Sequence, residues 1–381
     1  MSKLLNILHW PTSYPDADRD QPFHAIFVNE HIKATQGLVN CRVLFVSQES
    51  NLSNRWHEKK EFTEDGITIT RFYFNRKLKP SFLNLYIRLI ILGYFLNLIF
   101  IERFYPNIIH VHFFPAGEWA KLFAKLFNIK TVVTEHWTAL IGYPVISAKR
   151  FGNAKRVYEA AAYVLPVSTH LGNGILTNTH AQIKHKMQVV HNCVDTDLFV
   201  PKTQPKEANY NIISVARLEE QKDIPNMLHA FNLVKQQIPL AKLTIIGGGD
   251  ATPFMQLAKT LNVSTDVIFL GAQPKNIIAQ KMAESNLFIL SSISENSPCV
   301  IGEAQCCGLP VVATEVGGVK ELILVGTTVP PKRPDLLAAE MVKFINHPID
   351  KTNLVSQDQA KFSFKAIGQQ LYNVYIAVCA E

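Results

Sequence analysis

Residues 286–321 of this 381-residue chain read NLFILSSISENSPCVIGEAQCCGLPVVATEVGGVKE. The run Asn286–Leu290 is short and apolar, as expected of a buried strand, while Pro298 and Gly308 mark the start and end of a helix. A second apolar run, Val311–Ala313, follows that helix. Strand, helix and strand in this order predict a parallel sheet covered by helices.

Two carboxylates in this segment are the main clue to function. The pattern puts Glu295 in the loop after the strand and Glu303 on the helix. Carboxylates accept hydrogen bonds from the hydroxyl groups of a sugar or ribose, and the unpaired amides at a helix N-terminus bind a diphosphate. Acidic residues are also favoured at helix starts for structural reasons alone, so this segment leaves both interpretations open.

The same alternation of strand-like and helical stretches runs along the whole chain. A polar segment with two prolines, 195–209, separates two groups of apolar runs and is predicted to be a linker. A chain of this length exceeds one comfortable hydrophobic core, so we expect two Rossmann-like, doubly wound α/β domains. Their predicted bounds are 1–195 and 196–361, followed by a closing helix in 362–381 that packs back toward the N-terminal domain. The predicted strands are Leu4–Leu8, Arg42–Val46, Ile108–Val111, Thr131–Thr134, Val164–Val167 and Met187–Val190 in the first half, and Ile212–Val215, Lys242–Ile246, Val267–Leu270, Leu287–Leu290 and Val311–Ala313 in the second.

Charge is distributed unevenly between the two halves. Residues 1–195 carry 22 Lys and Arg against 14 Asp and Glu, a net charge of +8, whereas residues 196–381 carry 16 against 17, a net charge of −1. A basic N-terminal half predicts an anionic partner, namely a membrane surface, a lipid phosphate or a nucleic acid, although a basic face can also serve only solubility. The sequence has no recognisable nucleic-acid-binding module, so nucleic acid is not expected among its partners.

The cysteines and the N-terminus bear on the compartment. The six cysteines show no paired metal-ligand spacing, and adjacent Cys306 and Cys307 cannot easily bridge each other, which indicates reduced thiols. The apolar run in MSKLLNILHW is too short for a secretory signal and is predicted to be the first strand. Both features favour a cytoplasmic protein.

The segment Pro80–Pro106, PSFLNLYIRLIILGYFLNLIFIERFYP, is apolar and aromatic and follows a basic stretch. It nearly reaches membrane-spanning length, but Asn84, Arg88 and Asn97 interrupt it. One interpretation is an amphipathic helix lying on the inner face of the membrane, and the other is a core helix of the N-terminal domain. Both can hold in part.

Charged and small residues follow the strands of the second half. Arg217 lies at the carboxyl end of a strand, where open sheets bind ligands, and Lys222 follows near the next helix. The two could clamp a diphosphate, or form ordinary surface ion pairs with neighbouring glutamates. Gly247–Gly249 follows the next strand, and there the backbone can approach a ligand closely or simply turn. This turn lacks the further glycine of a dinucleotide fingerprint, which argues against hydride transfer.

In the first half, His136 follows the predicted strand Thr131–Thr134. A histidine at a strand's carboxyl end faces the ligand-binding edge and could donate to a sugar hydroxyl or a phosphate, although a lone histidine is more often structural. The aspartates within 16–20 and 195–197 lie in turn-rich segments, where aspartate is a common turn former. They do not indicate a metal site, and no metal or other cofactor is expected.

Several of these segments resemble one family of enzymes. ARLEEQKDIPNMLHAF, residues 216–231, looks like that family's phosphate-clamp segment, and FLGAQPKNIIAQKMAESNLFILSS, residues 269–292, looks like its base-binding strand. With Glu295, Glu303 and the GGVKE turn at 317–321, they resemble the retaining glycosyltransferases of family 4. The resemblance covers most of the chain. It implies the GT-B fold, in which an N-terminal acceptor-binding domain and a C-terminal domain that binds the nucleotide sugar face a cleft.

The resemblance also implies a role for each matching residue. Glu295 would hold a hydroxyl of the transferred sugar, and Glu303 would accept a hydrogen bond from the ribose of the donor. Arg217 and Lys222 would neutralise the leaving diphosphate, and His136 would lie near the donor sugar. The predicted catalytic residues are therefore Glu295, His136, Arg217 and Lys222. The predicted donor-binding residues are Glu303, Gly248, Gly271 beside the base, and Asn296, Ser297, Cys299 and Val300 at the helix N-terminus.

The implied reaction is hexosyl transfer from a nucleotide-diphosphate sugar to a glycan or polyprenyl-linked acceptor, with retention of anomeric configuration and without metal. Recognition of a hydroxyl is the favoured role for Glu295, ahead of a covalent role by analogy with retaining glycosidases. The residues do not fix the base or the sugar of the donor. The alternatives are a nucleotide-sugar epimerase and a binding module without turnover, and donor consumption that requires an acceptor separates the transferase from both.

The chain departs from the family pattern in three segments. Ala25 stands where a glycine is common in the loop after the first strand, which leaves the ligand contacts of that loop open. Asn296, Ser297 and Pro298 replace a glycine-flanked phenylalanine, and because proline has no N–H, one phosphate contact is missing. Cys193 replaces a glycine near the expected hinge, with little expected consequence.

Overall fold

The computed structural model of the protein describes residues 4–16, 19, 25–50, 52, 55–77, 80–202, 210–347 and 351–380. The chain forms two compact units. Unit 1 comprises Met1–His191 and Ile367–Glu381, and unit 2 comprises Asn192–Ala366. Part of the predicted linker, 203–209, and much of the loop after the first strand lie outside the described residues.

Each unit is built on one sheet. The strands of unit 1 are β1 (Asn6–Pro11), β2 (Asn40–Glu49), β3 (His57–Glu64), β4 (Ile67–Asn75), β5 (Ile108–His112), β6 (Lys130–Glu135) and β7 (Tyr163–Pro166). The strands of unit 2 are β8 (Tyr210–Val215), β9 (Ala241–Ile246), β10 (Val267–Phe269), β11 (Leu287–Leu290), β12 (Val311–Thr314) and β13 (Gly326–Val329).

Helices connect these strands. They are α1 (Ile26–Ala34), α2 (Pro80–Leu96), α3 (Phe114–Leu126), α4 (Ala148–Ala160), α5 (Thr169–Thr179), α6 (Ile224–Gln237), α7 (Thr252–Thr260), α8 (Lys275–Ala283), α9 (Cys299–Cys306), α10 (Val319–Leu322), α11 (Pro334–Asn346), α12 (Lys351–Phe362) and α13 (Phe364–Ala380). Helix α2 continues into a π-helical turn, Asn97–Ile101, and single 3-10 turns occur at Thr138–Ile141, Lys184–Lys186 and Glu220–Lys222.

The strand order shows that both sheets are doubly wound. It is β3-β4-β2-β1-β5-β6-β7 in unit 1 and β10-β9-β8-β11-β12-β13 in unit 2. Every neighbouring pair of these strands is parallel except β3 and β4. The predicted class, two Rossmann-like units with parallel sheets, is confirmed.

Two details differ from the prediction. The sequence of β3, HEKKEFTE, has too few apolar residues to stand out as a strand, yet it forms an antiparallel edge beside β4. The predicted strand Met187–Val190 is wrong, because this segment meets β7 through a single bridge between Met187 and Val164. Only its amide groups, at Gln188 and Val190, add hydrogen bonds to β7, so no regular ladder forms there.

Alternation along β1 gives unit 1 two different faces. Leu8 and Trp10 lie in the main hydrophobic core with Phe95 of α2 and Phe123 of α3. His9, between them, points to the opposite face because successive side chains of a strand alternate. Helices α1 and α13 cover that face, since their side chains contact the histidines of the strands.

Helices pack on both faces of the sheet in unit 2. Phe231 of α6 and Leu337 of α11 share one apolar cluster, while Met282 of α8 and Ile301 of α9 share the other. Burial on both faces explains why the short central strands, LFIL and VVAT, are almost entirely apolar. Polar side chains of this unit can then gather only at the ends of the strands.

Helix α2 has one buried and one exposed apolar side. Ile87 and Ile91 are buried in the core, whereas Leu85 and Leu89 are 55% and 57% exposed. The stretch Phe82–Ile101 is long and apolar enough to cross a membrane by length and composition, and 28% of its most apolar part is buried. The buried side agrees with the core-helix interpretation, and contact of the exposed side with a membrane stays a prediction.

Candidate active site

Strands β8 and β11 are neighbours in unit 2, so the loops at their carboxyl ends meet. Hydrogen bonds join the two loops. The amide of Ile293 donates to Gln221 O at 2.8 Å, and Ser291 Oγ donates to Lys222 O at 2.8 Å. This connection brings Lys222 to the loop that carries Glu295.

Lys222 and Glu295 form the charged centre of this edge. Lys222 Nζ lies 2.5 Å from Glu295 Oε1, and Ser292 Oγ donates to the same oxygen at 2.7 Å. The Glu295 side chain is 7% exposed and that of Lys222 is 18% exposed. Within the described residues both bonds fall on Oε1, so Oε2 and the further N–H groups of Lys222 are available to a ligand. The pair can accept from a hydroxyl and neutralise an anion at one place.

A glycine lies directly behind Glu295. Gly317 has a φ of +55°, and a Cβ at this position would lie 1.7 Å from the carbonyl oxygen of Glu295. The next amide, that of Gly318, donates to Asn296 O at 3.0 Å. The loop after β12 therefore packs on the backbone of Glu295, and a side chain at position 317 would displace it.

Glu303 lies on α9, as predicted, and its side chain is 8% exposed. Lys275 Nζ, from the first residue of α8, lies 3.3 Å from Glu303 Oε1. The sequence interpretation missed Lys275, because the pairing depends on the packing of α8 against α9. The only available signal is a lysine that opens a helix just after the turn at Gly271.

Gly248 and Gly271 occupy neighbouring loops at the same edge. The amide of Leu218 donates to Gly248 O at 2.8 Å, and the amide of Gly247 donates to Gly271 O at 2.9 Å. These bonds connect the loops after β8, β9 and β10. The backbone at the two predicted donor-binding glycines thus belongs to one continuous surface with the start of the Arg217–Lys222 loop.

The remaining predicted donor-binding residues lie at the start of α9. Asn296 and Ser297 are buried in the loop before the helix, and Asn192 Nδ2 donates to Ser297 O at 2.9 Å. Pro298 caps α9, and Cys299 and Val300 are its first two residues. Their amides occupy the helix N-terminus, where backbone N–H groups favour an anion.

Arg217 is placed differently from Lys222. Its side chain is 74% exposed, and its Nη2 lies 2.8 Å from Glu219 Oε1. This is the surface ion pair that the sequence left open as the alternative to a phosphate clamp. Among the described residues, no contact joins Arg217 to the Lys222–Glu295 pair.

His136 belongs to unit 1, at the carboxyl end of β6, and its backbone is held by the buried Glu135. Glu135 Oε1 accepts the amides of His136 and Trp137, each at 3.0 Å. Oε2 accepts the amide of Phe114 at 2.9 Å and the hydroxyl of Tyr158 at 2.8 Å. Burial raises the pKa of Glu135 to about 7, although these four donors act to lower it. The sequence interpretation missed Glu135 as a positioning residue.

Five histidines gather on the face of this sheet that α1 and α13 cover. His9 and His110 are register partners on β1 and β5, and alternation puts His112 on the same side. The rings of His31, on α1, and His112 lie 5.4 and 5.8 Å from that of His136. Burial lowers the pKa of His9 to about 3 and that of His31 to about 4, so both are neutral at pH 7. The sequence interpretation missed this cluster, for which the His-x-His alternation of β5 is only a partial signal.

Known proteins resemble the chain in sequence and in fold. The family model described as Glycosyltransferase Family 4 matches residues 52–198, and that described as Glycosyl transferases group 1 matches residues 195–361. The N-acetyl-alpha-D-glucosaminyl L-malate synthase of Bacillus anthracis is 29% identical over 238 residues, which is 58% of this chain and 60% of that protein. This chain thus spans about three-fifths of the length of that curated relative.

Solved structures extend the fold comparison to nearly the whole chain. Sucrose-phosphate synthase of Thermosynechococcus elongatus has a TM-score of 0.75 at 19% identity and covers 99% of both chains. HepE of Anabaena in complex with UDP has a TM-score of 0.75 at 17% identity, covering 98% of this chain and 100% of that one. HepE has also been solved with UDP-glucose, with a TM-score of 0.72. Since the two family models together match residues 52–361, which include most of each unit, the chain belongs to the family 4 glycosyltransferases and has their GT-B fold.

Proposed function

We propose that this protein is a hexosyltransferase that moves a sugar from a nucleotide-diphosphate sugar to a glycan or polyprenyl-linked acceptor, in the biosynthesis of a polysaccharide or glycoconjugate. The observation that carries the proposal is that each predicted carboxylate is paired with a lysine: Glu295 with Lys222 and Glu303 with Lys275. Each pair offers an acceptor for a hydroxyl and a cation for a phosphate. A nucleotide sugar presents these groups together.

The complexes of HepE with UDP and with UDP-glucose support a nucleotide sugar as the donor. In this proposal Glu295 Oε2 accepts from a hydroxyl of the sugar, and Glu303 accepts from the ribose. Arg217 turns to the diphosphate after leaving Glu219, which costs little because an exposed ion pair contributes only about 0–1 kcal/mol. The role near the donor sugar that the resemblance implies for His136 stays a prediction.

The proposed reaction needs no metal. Negative charge develops on the diphosphate as the glycosidic bond breaks, and Lys222 with the first amides of α9 can stabilise it. We propose that the departing phosphate takes the proton of the acceptor hydroxyl. Bond breaking and bond making then occur on the same face of the sugar, so the anomeric configuration is retained.

A panel of nucleotides is expected to identify the donor. One nucleoside diphosphate among UDP, GDP and ADP, and its sugar conjugate, should raise the melting temperature, because a ligand at 100 times its Kd adds about 2.7 kcal/mol to the free energy of unfolding. Glu303→Gln should reduce that shift, whereas Glu340→Gln, which breaks an exposed pair on α11, should leave it unchanged. No stabilisation by any of the three nucleotides would contradict the proposal.

Turnover separates the transferase from the other two functions. The donor should be consumed only when an acceptor is supplied, and NMR of the product should show the anomeric configuration of the donor. Conversion of the donor sugar without an acceptor would indicate an epimerase instead. Stabilisation by nucleotide without turnover of any acceptor would indicate a binding module.

We also propose that the protein works in the cytoplasm, bound peripherally to the inner face of the membrane. The exposed apolar side of α2 lies beside a groove of about 1160 Å³, which α2 and α3 line together. Leu122 and Leu126 of α3 add further exposed apolar surface. The groove is basic, with the cations Arg88, Lys121, Lys125, Lys130 and Lys186 against the carboxylates Glu118 and Glu159. Apolar side chains next to a basic groove fit an anionic lipid surface.

The double variant Leu85→Glu, Leu89→Glu is expected to release the protein from vesicles. Each leucine is more than half exposed, so the loss of both from the lipid should weaken binding by about 3 kcal/mol, or about 100-fold. Flotation with phosphatidylglycerol vesicles measures this, and Leu240→Glu, at an equally exposed leucine of unit 2, is the control. Equal flotation of the double variant and the wild type would contradict membrane binding through α2.

A further inference from the structure

The five buried histidines of unit 1 differ in how their ring nitrogens are used. His110 is satisfied on both sides, since Nδ1 lies 2.6 Å from the hydroxyl of Tyr375 and Nε2 lies 2.7 Å from Thr134 Oγ1. In His31 one ring nitrogen has a hydrogen-bond partner among the described residues and the other has none. Its Nε2 lies 3.0 Å from the carbonyl oxygen of His191, and its Nδ1 has no hydrogen-bond partner among the described residues.

The protons of His31 can be assigned from this contact. A carbonyl oxygen only accepts, so Nε2 of His31 must carry the proton. In a neutral imidazole the other nitrogen, Nδ1, then presents a lone pair. This lone pair is fully buried and meets no donor within the described part of the chain.

A chain of hydrogen bonds assigns the proton of His112 in the same way. Thr35 Oγ1 donates to Ile32 O, so it must accept from the thiol of Cys41, 3.4 Å away. The thiol has only one proton, so Nε2 of His9 donates to Cys41 Sγ at 3.6 Å. Nδ1 of His9 is then an acceptor, and it receives the proton on Nε2 of His112 at 3.3 Å.

The consequence is a second buried lone pair beside the first. Nδ1 of His112 has no hydrogen-bond partner among the described residues, and His112 is fully buried. One ring nitrogen from each of His31, His112 and His136 lies within 4.8 Å of those of the other two. Buried acceptors without a donor are costly, so two of them within one histidine cluster call for a cation or another donor.

We propose that His31, His112 and His136 bind one transition-metal dication of the Zn²⁺ class. Imidazole nitrogens are the ligands that Zn²⁺, Cu²⁺ and Ni²⁺ favour, and three of them form a common site with a fourth position left for water. The other nitrogens of His31 and His112 bond to a backbone carbonyl and to His9, which is the outer support that metal-binding histidines usually have.

The geometry requires only a small contraction. Nitrogens that bind Zn²⁺ tetrahedrally at about 2.0–2.1 Å are roughly 3.4 Å apart, and side-chain rotation can close the difference from the present spacing. The ion would enter beside His136, which is 8% exposed, whereas His31 and His112 are fully buried. Once bound, it would join helix α1 to the ends of β5 and β6. This site goes beyond the proposed transfer, which uses no metal.

The test uses tag-free, chelator-treated protein and Zn²⁺ alone. Isothermal titration calorimetry should show one Zn²⁺ equivalent bound tightly per protein chain. X-ray absorption should show three imidazole nitrogens at about 2.0–2.1 Å from the zinc. All four tryptophans lie in unit 1, so tryptophan fluorescence should report a higher melting temperature for that unit with Zn²⁺. Absence of a tight equivalent in the wild type would overturn the proposal.

Variants locate the ion. His31→Gln should weaken the tight equivalent at least about 100-fold, because it removes one of three ligands, and His9→Phe should weaken it about 10- to 100-fold through the lost support to His112. His229→Gln, at an exposed histidine of unit 2, should bind Zn²⁺ as the wild type does. Circular dichroism confirms that each variant is folded. Unchanged binding by a folded His31→Gln would overturn the site.

Discussion

Replacing Glu295 with glutamine is expected to lower kcat/KM for sugar transfer about 100-fold while the protein stays folded. Glutamine keeps the shape of the side chain but removes the charge that holds Lys222 and that would bind a sugar hydroxyl. Charged hydrogen bonds contribute about 1.5–3 kcal/mol, which corresponds to roughly 10- to 150-fold. The effect should fall mainly on kcat if Glu295 holds the sugar in its reacting position.

Lys222 provides an independent check on this role. Lys222→Met should also lower transfer, and the double variant should lose less than the product of the two single losses, because the two side chains form one pair 2.5 Å apart. Glu315→Gln is the matched control. It breaks a Glu–Lys pair in the same unit whose side chains are 49% and 70% exposed, and it should leave transfer unchanged.

The same variant distinguishes recognition from covalent catalysis. With Glu295→Gln, no glycosyl-enzyme should accumulate, and mass spectrometry of the wild type during turnover should show no sugar attached to Glu295. A covalent adduct on Glu295 would contradict hydroxyl recognition and make it the nucleophile of a double displacement. Full transfer by the folded Glu295→Gln variant would remove Glu295 from the site altogether.

The sequence predicted unit 2 well because its elements are locally encoded. Short apolar strands such as Leu287–Leu290, a proline at a helix start and glycines after strands each carry a local signal. Parallel order then brings the strand ends to one edge, which agrees with the shared site that the resemblance implied for Lys222 and Glu295, although 72 residues separate them.

Lys275 and the histidine cluster could not be predicted in this way, because they depend on side-chain packing between elements. Lys275 meets Glu303 only through the relative positions of α8 and α9. His31 reaches His112 and His136 only because α1 packs on the face of the sheet toward which alternate residues of β1 and β5 point. A strand with a polar sequence, such as β3, was missed for a related reason. Its pairing partner supplies the apolar surface that its own sequence lacks.

Replacing Glu135 with alanine is expected to lower the free energy of unfolding of unit 1 by at least about 4 kcal/mol. The carboxylate accepts three backbone amides and one hydroxyl, and it is fully buried. Alanine leaves these four donors without an acceptor, and each unsatisfied buried donor costs about 1–3 kcal/mol. The melting temperature of unit 1, read by tryptophan fluorescence, should fall by about 10 °C or more.

Graded substitutions separate these hydrogen bonds from loss of packing. Tyr158→Phe removes one donor and keeps the carboxylate, so it should cost about 1–2 kcal/mol. The loss in free energy of unfolding for Glu135→Gln should lie between those for Tyr158→Phe and Glu135→Ala. The glutamine NH₂ group can donate to the hydroxyl of Tyr158, which also accepts, so the amide of Phe114 is then the one donor that loses its partner. Glu118→Ala is the control in the same unit. In the described part of the chain Glu118 accepts one hydrogen bond, from Asn153, so this change should cost about 1 kcal/mol or less. If Glu135→Ala and Glu118→Ala had the same melting temperature, Glu135 would not be the residue that holds the backbone of His136. The expected ranking of these variants would mean that the stability of unit 1 and the position of its predicted catalytic histidine depend on the same buried carboxylate.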